Sequence, residues 1–243
     1  SLIHLAGGIG QVGDFTNYFK GSTSYFDPIL WKNNKQNQYE GYCSDIFTEN
    51  AIKFIENNKN NSFFCYLSFN APHTPLQVPS KYYHMYKNLY PESGFKEGLE
   101  SLKMSEKDKE DTRSIYGMVT NIDDNIGKVI NKLKELEIED ETIIIFMTDN
   151  GPQQLRYNSN MKGLKGTVYN GGIRVPFYIK YAEKFKNSKV INRMSAHIDV
   201  LPTVLELCDL KIPSDRKIDG QSLVPTVNSK AINDSLSISS GLT

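Results

Sequence analysis

The feature that most constrains the fold is a long helical pattern that leads directly into an apolar strand. Apolar residues recur at helical spacing from Ile115 to Leu136, which places them on one stripe of an α-helix. The preceding SEKD, Ser105 to Asp108, predicts a capping box at the start of this helix. After a short connection, TIIIFMTD, Thr142 to Asp149, is β-branched and apolar on both faces, as expected of a central parallel strand. A helix–strand unit of this kind predicts an α/β domain.

The remaining patterns continue the alternation of helices and strands. They predict a helix over Ser44–Asn58, strands over Phe63–Phe69 and Val175–Tyr181, and a short helix over Asp199–Leu207. Residues 1–42 show no clear periodicity, and we expect a loop with short extended pieces. The order of elements predicts a mixed, mostly parallel sheet flanked by helices. We expect residues 1–226 to form one domain and residues 227–243 to be a poorly packed tail.

Composition and charge exclude several classes of function. The 243 residues carry 28 Lys and Arg against 28 Asp and Glu, so no overall charge favours nucleic acid or a membrane surface. No apolar run approaches the ~20 residues that span a bilayer, and the first residues lack the basic region of a signal peptide. Cys43, Cys65 and Cys208 form no CxxC pair. One disulfide with a free thiol and three free thiols both remain open.

Polar residues follow two of the predicted strands. In an open α/β sheet, ligands bind beyond the carboxyl ends of the strands. Asn70 and His73 follow the strand at Phe63–Phe69, and Asp149 and Asn150 follow the next apolar strand. Carboxylate and amide oxygens suit Ca²⁺ or Mg²⁺, although Asp-Asn-Gly-Pro is also a turn-forming sequence. A lone histidine such as His73 is more often a hydrogen-bonded structural residue than a catalytic one.

A glycine-rich loop carries three cations after the second of these strands. Lys162, Lys165 and Arg174 lie within Asn160–Pro176, together with four glycines. Glycine lets the backbone approach a ligand closely, and a lysine ammonium can hold an oxyanion. A mobile, solvated loop explains the same composition, so the loop alone does not decide between the two interpretations.

Several long motifs in one order resemble the sulfatase family of the alkaline-phosphatase-like superfamily. Its motifs are similar to FFCYLSFNAPHTPLQVP at residues 63–79, to TIIIFMTDNGP at residues 142–152, to KGTVYNGGIRVP at residues 165–176 and to HIDVLPTVLELCDLKIP at residues 197–213. The segments GGIGQ and YFDPILWKNNK also resemble the arylsulfatase branch. The resemblance spans most of residues 3–226 and implies the α/β fold of that superfamily.

The resemblance implies a role for each candidate residue. Asp149 and Asn150 match the family's last two ligands of a divalent cation, Ca²⁺ or Mg²⁺. His73 matches the histidine beside the sulfate ester oxygen, a hydrogen-bond donor and general acid for the leaving group. Lys165 matches the lysine that holds the sulfate, with Lys162 as the alternative if the loop has a different register. The implied reaction is hydrolysis of a sulfate monoester of an aryl alcohol or a carbohydrate.

One essential motif of the family does not occur in this sequence. The sulfatase nucleophile is a formylglycine made from Cys or Ser in a C/S-x-P/A-x-R motif, and none of the three cysteines and no serine has that context. The family's first two metal-ligating aspartates, and a second Lys and His, also belong N-terminal to Ser1. We therefore expect residues 1–226 to be the central-to-C-terminal part of a sulfatase catalytic domain, a fragment incomplete at both ends and inactive alone.

Two other functions remain open on the sequence. A phosphatase or phosphonate esterase of the same superfamily would need additional His and Asp ligands, and the chain has four histidines. A catalytically inactive sulfatase-like protein would apply if the gene began at Ser1. By resemblance we expect an exported protein in the periplasm, the lysosome or the extracellular space. The particular sulfate ester and the oligomeric state are not predicted.

Overall fold

The structure of the protein is a computed structural model that describes residues 3–4, 24–33, 35–94, 103–212, 214–215 and 217–228. Its contacts divide the chain into two compact units, Ser1–Ile179 and Lys180–Thr243. The helices are α1 Cys43–Asn58, α2 Ser80–Tyr86, α3 Glu106–Glu135, α4 Asn170–Ile173, α5 Val200–Leu207 and α6 Val224–Asn228. The strands are β1 Ile3–His4, β2 Ile29–Lys32, β3 Lys35–Gln38, β4 Ile144–Met147 and β5 Phe177–Lys180. Most of the predicted tail, residues 229–243, lies outside the described residues.

Helix α3 confirms the long helix predicted from the apolar stripe and the capping signal. Ser105 Oγ accepts a hydrogen bond from the Asp108 backbone N–H at 3.1 Å, and the Asp108 carboxylate accepts one from the Ser105 N–H at 2.9 Å. These bonds satisfy backbone donors that have no partner within the helix. The stripe buries Ile115, Met118, Ile122 and Leu133. Val119, which the pattern places on the same stripe, is instead exposed because it lies at the edge of the buried face.

Helices α1 and α3 pack against each other, and their contact contains a buried polar cluster. The Asp45 carboxylate in the first turn of α1 accepts hydrogen bonds from Asn121 Nδ2 at 3.0 Å and Asn125 Nδ2 at 2.7 Å. Both asparagines are fully buried, and a buried amide needs hydrogen bonds to offset the loss of water. The cluster therefore fixes the alignment of the two helices, and the apolar stripe did not predict it.

The segment around β2 joins the start of α1 in the core of the first unit. Strands β1, β2 and β3 form an antiparallel sheet, and Leu30 of β2 is fully buried. Leu30 belongs to one apolar cluster with Tyr25, Tyr42, Cys43 and Met118. The Cys43 backbone N–H also donates to the Tyr25 carbonyl at 2.8 Å. The chain at Tyr25 is thus anchored both by apolar burial and by a backbone bond to the first residue of α1.

Strands β4 and β5 confirm two of the predicted strands and pair in a second sheet. The predicted strand at Phe63–Phe69 differs, since no described strand pairs with it. Its side chains still alternate in burial, and Phe64 and Tyr66 are 78% and 72% exposed. A strand needs a neighbour to complete its backbone hydrogen bonds. The apolar run predicts an extended segment, but the sequence cannot supply that neighbour.

In the second unit, the Asp199 carboxylate joins the segment just before α5 to the segment at Gln221. The carboxylate accepts backbone N–H bonds from Gln221 at 2.8 Å and Ala196 at 2.9 Å. These bonds hold the pKa of the Asp199 carboxyl below its usual range. The helix begins one residue after its predicted start and has Pro202 in its first turn. In the described part of the chain, no helix combines the length and the apolar character that crossing a bilayer requires.

Candidate active site

Asp149 and Asn150 lie in the turn that follows β4, as the sequence predicts. The exposed Asp149 carboxylate accepts the Asn150 backbone N–H through Oδ1 at 2.9 Å, which leaves Oδ2 for another ligand. Asn150 Nδ2 donates to the Gly151 carbonyl at 2.9 Å. Because this bond fixes the amide by its nitrogen, the amide oxygen of Asn150 is also left for another ligand. The turn therefore leaves two hard oxygen atoms, on adjacent residues, for a ligand.

The glycine-rich loop folds back onto this turn and carries Lys165 with it. The Lys165 backbone N–H donates to the Pro152 carbonyl at 2.8 Å. The Gly151 N–H donates to the Gly172 carbonyl at 2.9 Å, and the Gly171 N–H donates to the Lys162 carbonyl at 2.7 Å. These three backbone hydrogen bonds join residues that are up to 21 positions apart. They hold the backbone of Lys165 against the segment that directly follows the Asp149–Asn150 turn.

The glycines of this loop are needed because its backbone packs closely on itself. A Cβ added at Gly151 would lie 1.8 Å from the Gly171 carbonyl oxygen, and one at Gly171 would lie 2.0 Å from the Gly163 carbonyl oxygen. Gly163 itself has φ +90°, a conformation that other residues rarely adopt. The sequence left open whether these glycines allow close approach to a ligand or only form a solvated loop. The structure shows instead that these glycines allow close approach to the loop's own backbone.

The side chains of Lys165 and Lys162 are in different environments. The Lys162 ammonium lies over the Tyr169 ring, 4.2 Å from the ring centroid, where the ring quadrupole attracts it. Lys165 is half-buried, and no carboxylate or aromatic ring among the described residues pairs with its ammonium. Of the two lysines, Lys165 is therefore the one whose charge is available to an anionic ligand.

Sequence analysis missed a further cation, just before the glycine-rich loop in the Gly- and Asn-rich segment 150–172. Arg156 is largely buried, its Nη1 has no hydrogen-bond partner among the described residues, and burial lowers the pKa of its guanidinium. Arg156 lies in the same Gly- and Asn-rich segment as the lysines, and that was the available signal. Arg174, in contrast, is exposed and is tied into the fold by its backbone N–H, which donates to the Asn170 carbonyl.

His73 lies in the turn that follows the extended segment 63–69. Its Nδ1 is 2.8 Å from the Thr74 carbonyl oxygen, and because a carbonyl can only accept, Nδ1 carries the proton. Nε2 is buried and has no hydrogen-bond partner among the described residues. The imidazole thus has one nitrogen committed to the backbone and one nitrogen left for a ligand. In the described part of the chain, no hydrogen bond or ion pair joins His73 to Asp149, Asn150 or Lys165.

The oxygen donors suit a divalent cation in kind but supply only part of its coordination. Ca²⁺ takes about six to eight oxygen ligands and Mg²⁺ about six. Asp149 and Asn150 supply two oxygens. No group of three or more His, Cys, Asp or Glu residues that could hold a metal ion occurs among the described residues. The pair therefore fits two positions of a cation site, and other residues or water would have to supply the remaining ligands.

The three cysteines differ in exposure, and burial makes Cys43 unreactive. All three are free thiols, which resolves the alternative that the sequence left open. Cys43 is buried in the core cluster, and burial raises the pKa of its thiol to about 12, so it stays protonated and unreactive. Burial also raises the pKa of Cys65. Cys208 is exposed at the end of α5, in the second unit.

Comparison with known proteins gives relatives whose names describe sulfatases. The chain is 30% identical over 222 residues to the uncharacterized sulfatase YdeN of Escherichia coli (strain K12), covering 89% of this chain and 36% of that protein. It is 28% identical over 196 residues to human N-acetylgalactosamine-6-sulfatase, covering 77% of this chain and 33% of that protein. The chain thus spans about a third of the length of these curated relatives.

The fold is similar to that of solved structures over most of the chain. The crystal structure of Ps i-CgsB in complex with k-i-k-neocarrahexaose has a TM-score of 0.69 and 29% identity, covering 82% of this chain and 41% of that chain. The sequence profile of the family Sulfatase matches residues 8–210, well over half of the chain. This chain therefore belongs to the sulfatase family and has the α/β, alkaline-phosphatase-like fold.

Proposed function

We propose that residues 1–226 form part of the catalytic domain of a hydrolase that cleaves a sulfate monoester. The observation that carries the proposal is the loop after β4. It joins two hard oxygen donors, at Asp149 and Asn150, to one backbone framework with Lys165, whose ammonium has no ion-pair partner among the described residues. Such an arrangement suits a dianionic or monoanionic oxyester better than an uncharged substrate.

Asp149 and Asn150 would contribute two oxygens to a divalent cation, Ca²⁺ or Mg²⁺. When bound, that cation supplies positive charge that polarises the ester oxygens. Lys165 would hold a sulfate oxygen and stabilise the negative charge that develops there. Since the lysine backbone is bonded to Pro152 at 2.8 Å, the cation ligands and the lysine would keep a fixed spacing during the reaction. Fixed donors avoid reorganisation at the moment of bond cleavage.

His73 would donate the proton that the leaving group needs. With Nδ1–H committed to the Thr74 carbonyl, only Nε2 can carry the transferred proton, and the imidazole must start as imidazolium. When the enzyme's nucleophile bonds to sulfur and takes the sulfuryl group, the ester S–O bond breaks, and its electron pair stays on the ester oxygen, which takes the proton from Nε2. The product is an alcohol or phenol and a neutral His73 whose Nδ1–H bond is unchanged. General acid catalysis of this kind contributes about 10²–10⁴-fold.

The substrate class is a carbohydrate or aryl sulfate. The name of the human relative describes a sugar sulfatase, and the similar solved structure holds a neocarrahexaose. Both support a carbohydrate sulfate for this protein. An exported location, in the periplasm, the lysosome or outside the cell, fits such a substrate.

The proposed enzyme needs a nucleophile that this chain does not contain. In the family a formylglycine supplies it, and no C/S-x-P/A-x-R motif occurs in the 243 residues. We therefore expect the 243-residue chain alone to be inactive and the full-length gene product, with a C-x-P-x-R motif upstream, to be active.

The test is to assay the full-length protein and this chain on 4-nitrophenyl sulfate and 4-nitrophenyl phosphate. We expect the full-length protein to hydrolyse the sulfate with the higher kcat/KM and the chain alone to hydrolyse neither. Preferential hydrolysis of the phosphate would favour the phosphatase alternative. Turnover by the chain alone would refute the conclusion that its nucleophile is missing, and an inactive full-length protein would favour the sulfatase-like protein without catalysis.

A further inference from the structure

We propose that Tyr25 is a positioning residue whose hydroxyl holds the backbone of His73 so that Nε2 is presented to the leaving oxygen. The Tyr25 hydroxyl donates to the His73 carbonyl at 3.1 Å, although the two residues are 48 positions apart. The inference rests on the proposed role of His73 as the proton donor. It adds a residue that contacts neither the substrate nor the cation.

Tyr25 can hold the His73 backbone in place because several contacts fix its own position. The residue is fully buried, and its carbonyl accepts the Cys43 N–H at 2.8 Å. Its N–H donates to Gln77 Oε1 at 2.7 Å, and its ring packs against Tyr42, with ring centroids 5.8 Å apart. Burial raises the pKa of Tyr25 far above neutrality, so the hydroxyl stays a hydrogen-bond donor. The Tyr25 hydroxyl is therefore a hydrogen-bond donor that the core of the first unit holds in place beside the His73 turn.

Among the described residues, the bond from Tyr25 is the hydrogen bond that reaches the His73 turn from outside the turn. The His73 N–H donates to the Asn70 carbonyl at 2.9 Å, within the turn itself. The imidazole Nδ1 donates to Thr74, the next residue. Both of these bonds can move with the turn, whereas the Tyr25 hydroxyl ties the His73 carbonyl to the core. Without the Tyr25 hydroxyl, the turn can adopt further conformations, and the Nδ1–Thr74 bond is kept in only some of them. In the others, Nε2 is misplaced. A small misplacement of a catalytic group lowers rates strongly.

The test compares Tyr25→Phe with Tyr42→Phe in the full-length protein. Tyr42 is the matched control because its hydroxyl also donates to a backbone carbonyl, that of Gln77 at 2.9 Å, from the same core cluster. Each variant is assayed on 4-nitrophenyl sulfate, whose leaving group needs no proton, and on an alkyl sulfate, whose leaving group does. We expect Tyr25→Phe to lower kcat on the alkyl sulfate about 5- to 10-fold, the effect of one lost hydrogen bond. On 4-nitrophenyl sulfate, the kcat of Tyr25→Phe should stay within about twofold of the wild-type value. Tyr42→Phe should change kcat by the same factor on both substrates.

A second readout follows the imidazole directly. With ¹⁵N-labelled histidine, the ring nitrogens of His73 report which nitrogen carries the proton in the neutral form. We expect Nδ1–H in the wild type and in Tyr42→Phe, and a mixture of tautomers in Tyr25→Phe. If Tyr25→Phe does not fold, Gln77→Met, which removes the acceptor of the Tyr25 N–H, is expected to give the same selective loss in a weaker form.

The outcomes separate this inference from the function on which it rests. His73→Ala should lower kcat about 10²–10⁴-fold on the alkyl sulfate and much less on 4-nitrophenyl sulfate. If His73→Ala lowers kcat equally on both substrates, His73 is not the proton donor. The proposed role of His73 then fails together with the inference. If His73→Ala is selective but Tyr25→Phe is no more selective than Tyr42→Phe, the positioning role of Tyr25 alone is overturned.

Discussion

Replacing Gly151 by alanine tests whether the glycine-rich loop is built by backbone packing. The added Cβ would lie 1.8 Å from the Gly171 carbonyl oxygen and 3.1 Å from the Gly172 Cα. These atoms are backbone, so no flexible side chain can move aside. The backbone at Gly151 must move away from the backbone at Gly171 and Gly172. This would break the bonds from the Gly151 N–H to Gly172 and from the Gly171 N–H to Lys162.

The expected cost of Gly151→Ala follows from these contacts. Two lost hydrogen bonds cost about 1 kcal/mol each, and forcing a methyl group into a packed site costs about 1–3 kcal/mol. The free energy of unfolding should therefore fall by about 3–5 kcal/mol. Urea denaturation of the full-length protein measures it, and the midpoint should fall by at least about 1 M at a typical slope.

Gly127→Ala is the matched control for this measurement. Gly127 lies in α3, and a Cβ there would meet nothing within 4 Å. Alanine in a helix interior is more favourable than glycine by about 1 kcal/mol, so this variant should be slightly more stable than the wild type. Equal urea midpoints for the Gly151 and Gly127 variants would refute the reasoning about the loop.

The remaining predictions concern charge, thiol reactivity and pH. Lys165→Met should lower kcat/KM on 4-nitrophenyl sulfate about 10²–10³-fold, whereas Lys162→Met should stay within about threefold because its ammonium is held by an aromatic ring; equal losses would contradict the assignment. With a thiol reagent at pH 8, the exposed Cys208 should react rapidly and Cys43 only after unfolding, so that rapid labelling of Cys43 in the native protein would argue against its burial. Asp199→Asn should lower the free energy of unfolding by about 1 kcal/mol at pH 7, because the carboxylate accepts two backbone N–H bonds. Because the folded state depresses the pKa of Asp199, its contribution is present above the unfolded value of about 3.9 and is lost as pH falls through the folded value. The difference between Asp199→Asn and wild type in urea titrations should therefore disappear in acid, and a difference that persists there would exclude this carboxylate as its source.

Elements set by neighbours in the chain were predictable from the sequence. The start of α3 follows from Ser105 and Asp108, which lie three residues apart and bond to each other. The Asp149–Asn150 turn follows from the apolar segment that ends just before it. In both cases the partners of each group are local, so pattern and residue type contain the information.

Features that depend on distant partners were not predictable in this way. The Asp45 carboxylate binds two asparagines that are 76 and 80 residues away, and no periodicity marks Asn121 or Asn125 as buried. The same holds for Tyr25, whose partner His73 is 48 residues away. By resemblance the sequence already favoured Lys165 over Lys162, but the contact of the Lys162 ammonium with the Tyr169 ring required the structure.

The most direct test of the proposed site is the metal dependence of sulfate ester hydrolysis in the full-length protein and in Asp149→Ala. Dialysis against a chelator should abolish the activity of the wild type, and Ca²⁺ or Mg²⁺ should restore it. Asp149→Ala should have a kcat/KM at least about 100-fold lower, with no recovery at the cation concentration that restores the wild type. Wild-type activity that survives chelation, or an Asp149→Ala variant as active as the wild type, would contradict the assignment of this turn to a cation-dependent sulfatase site.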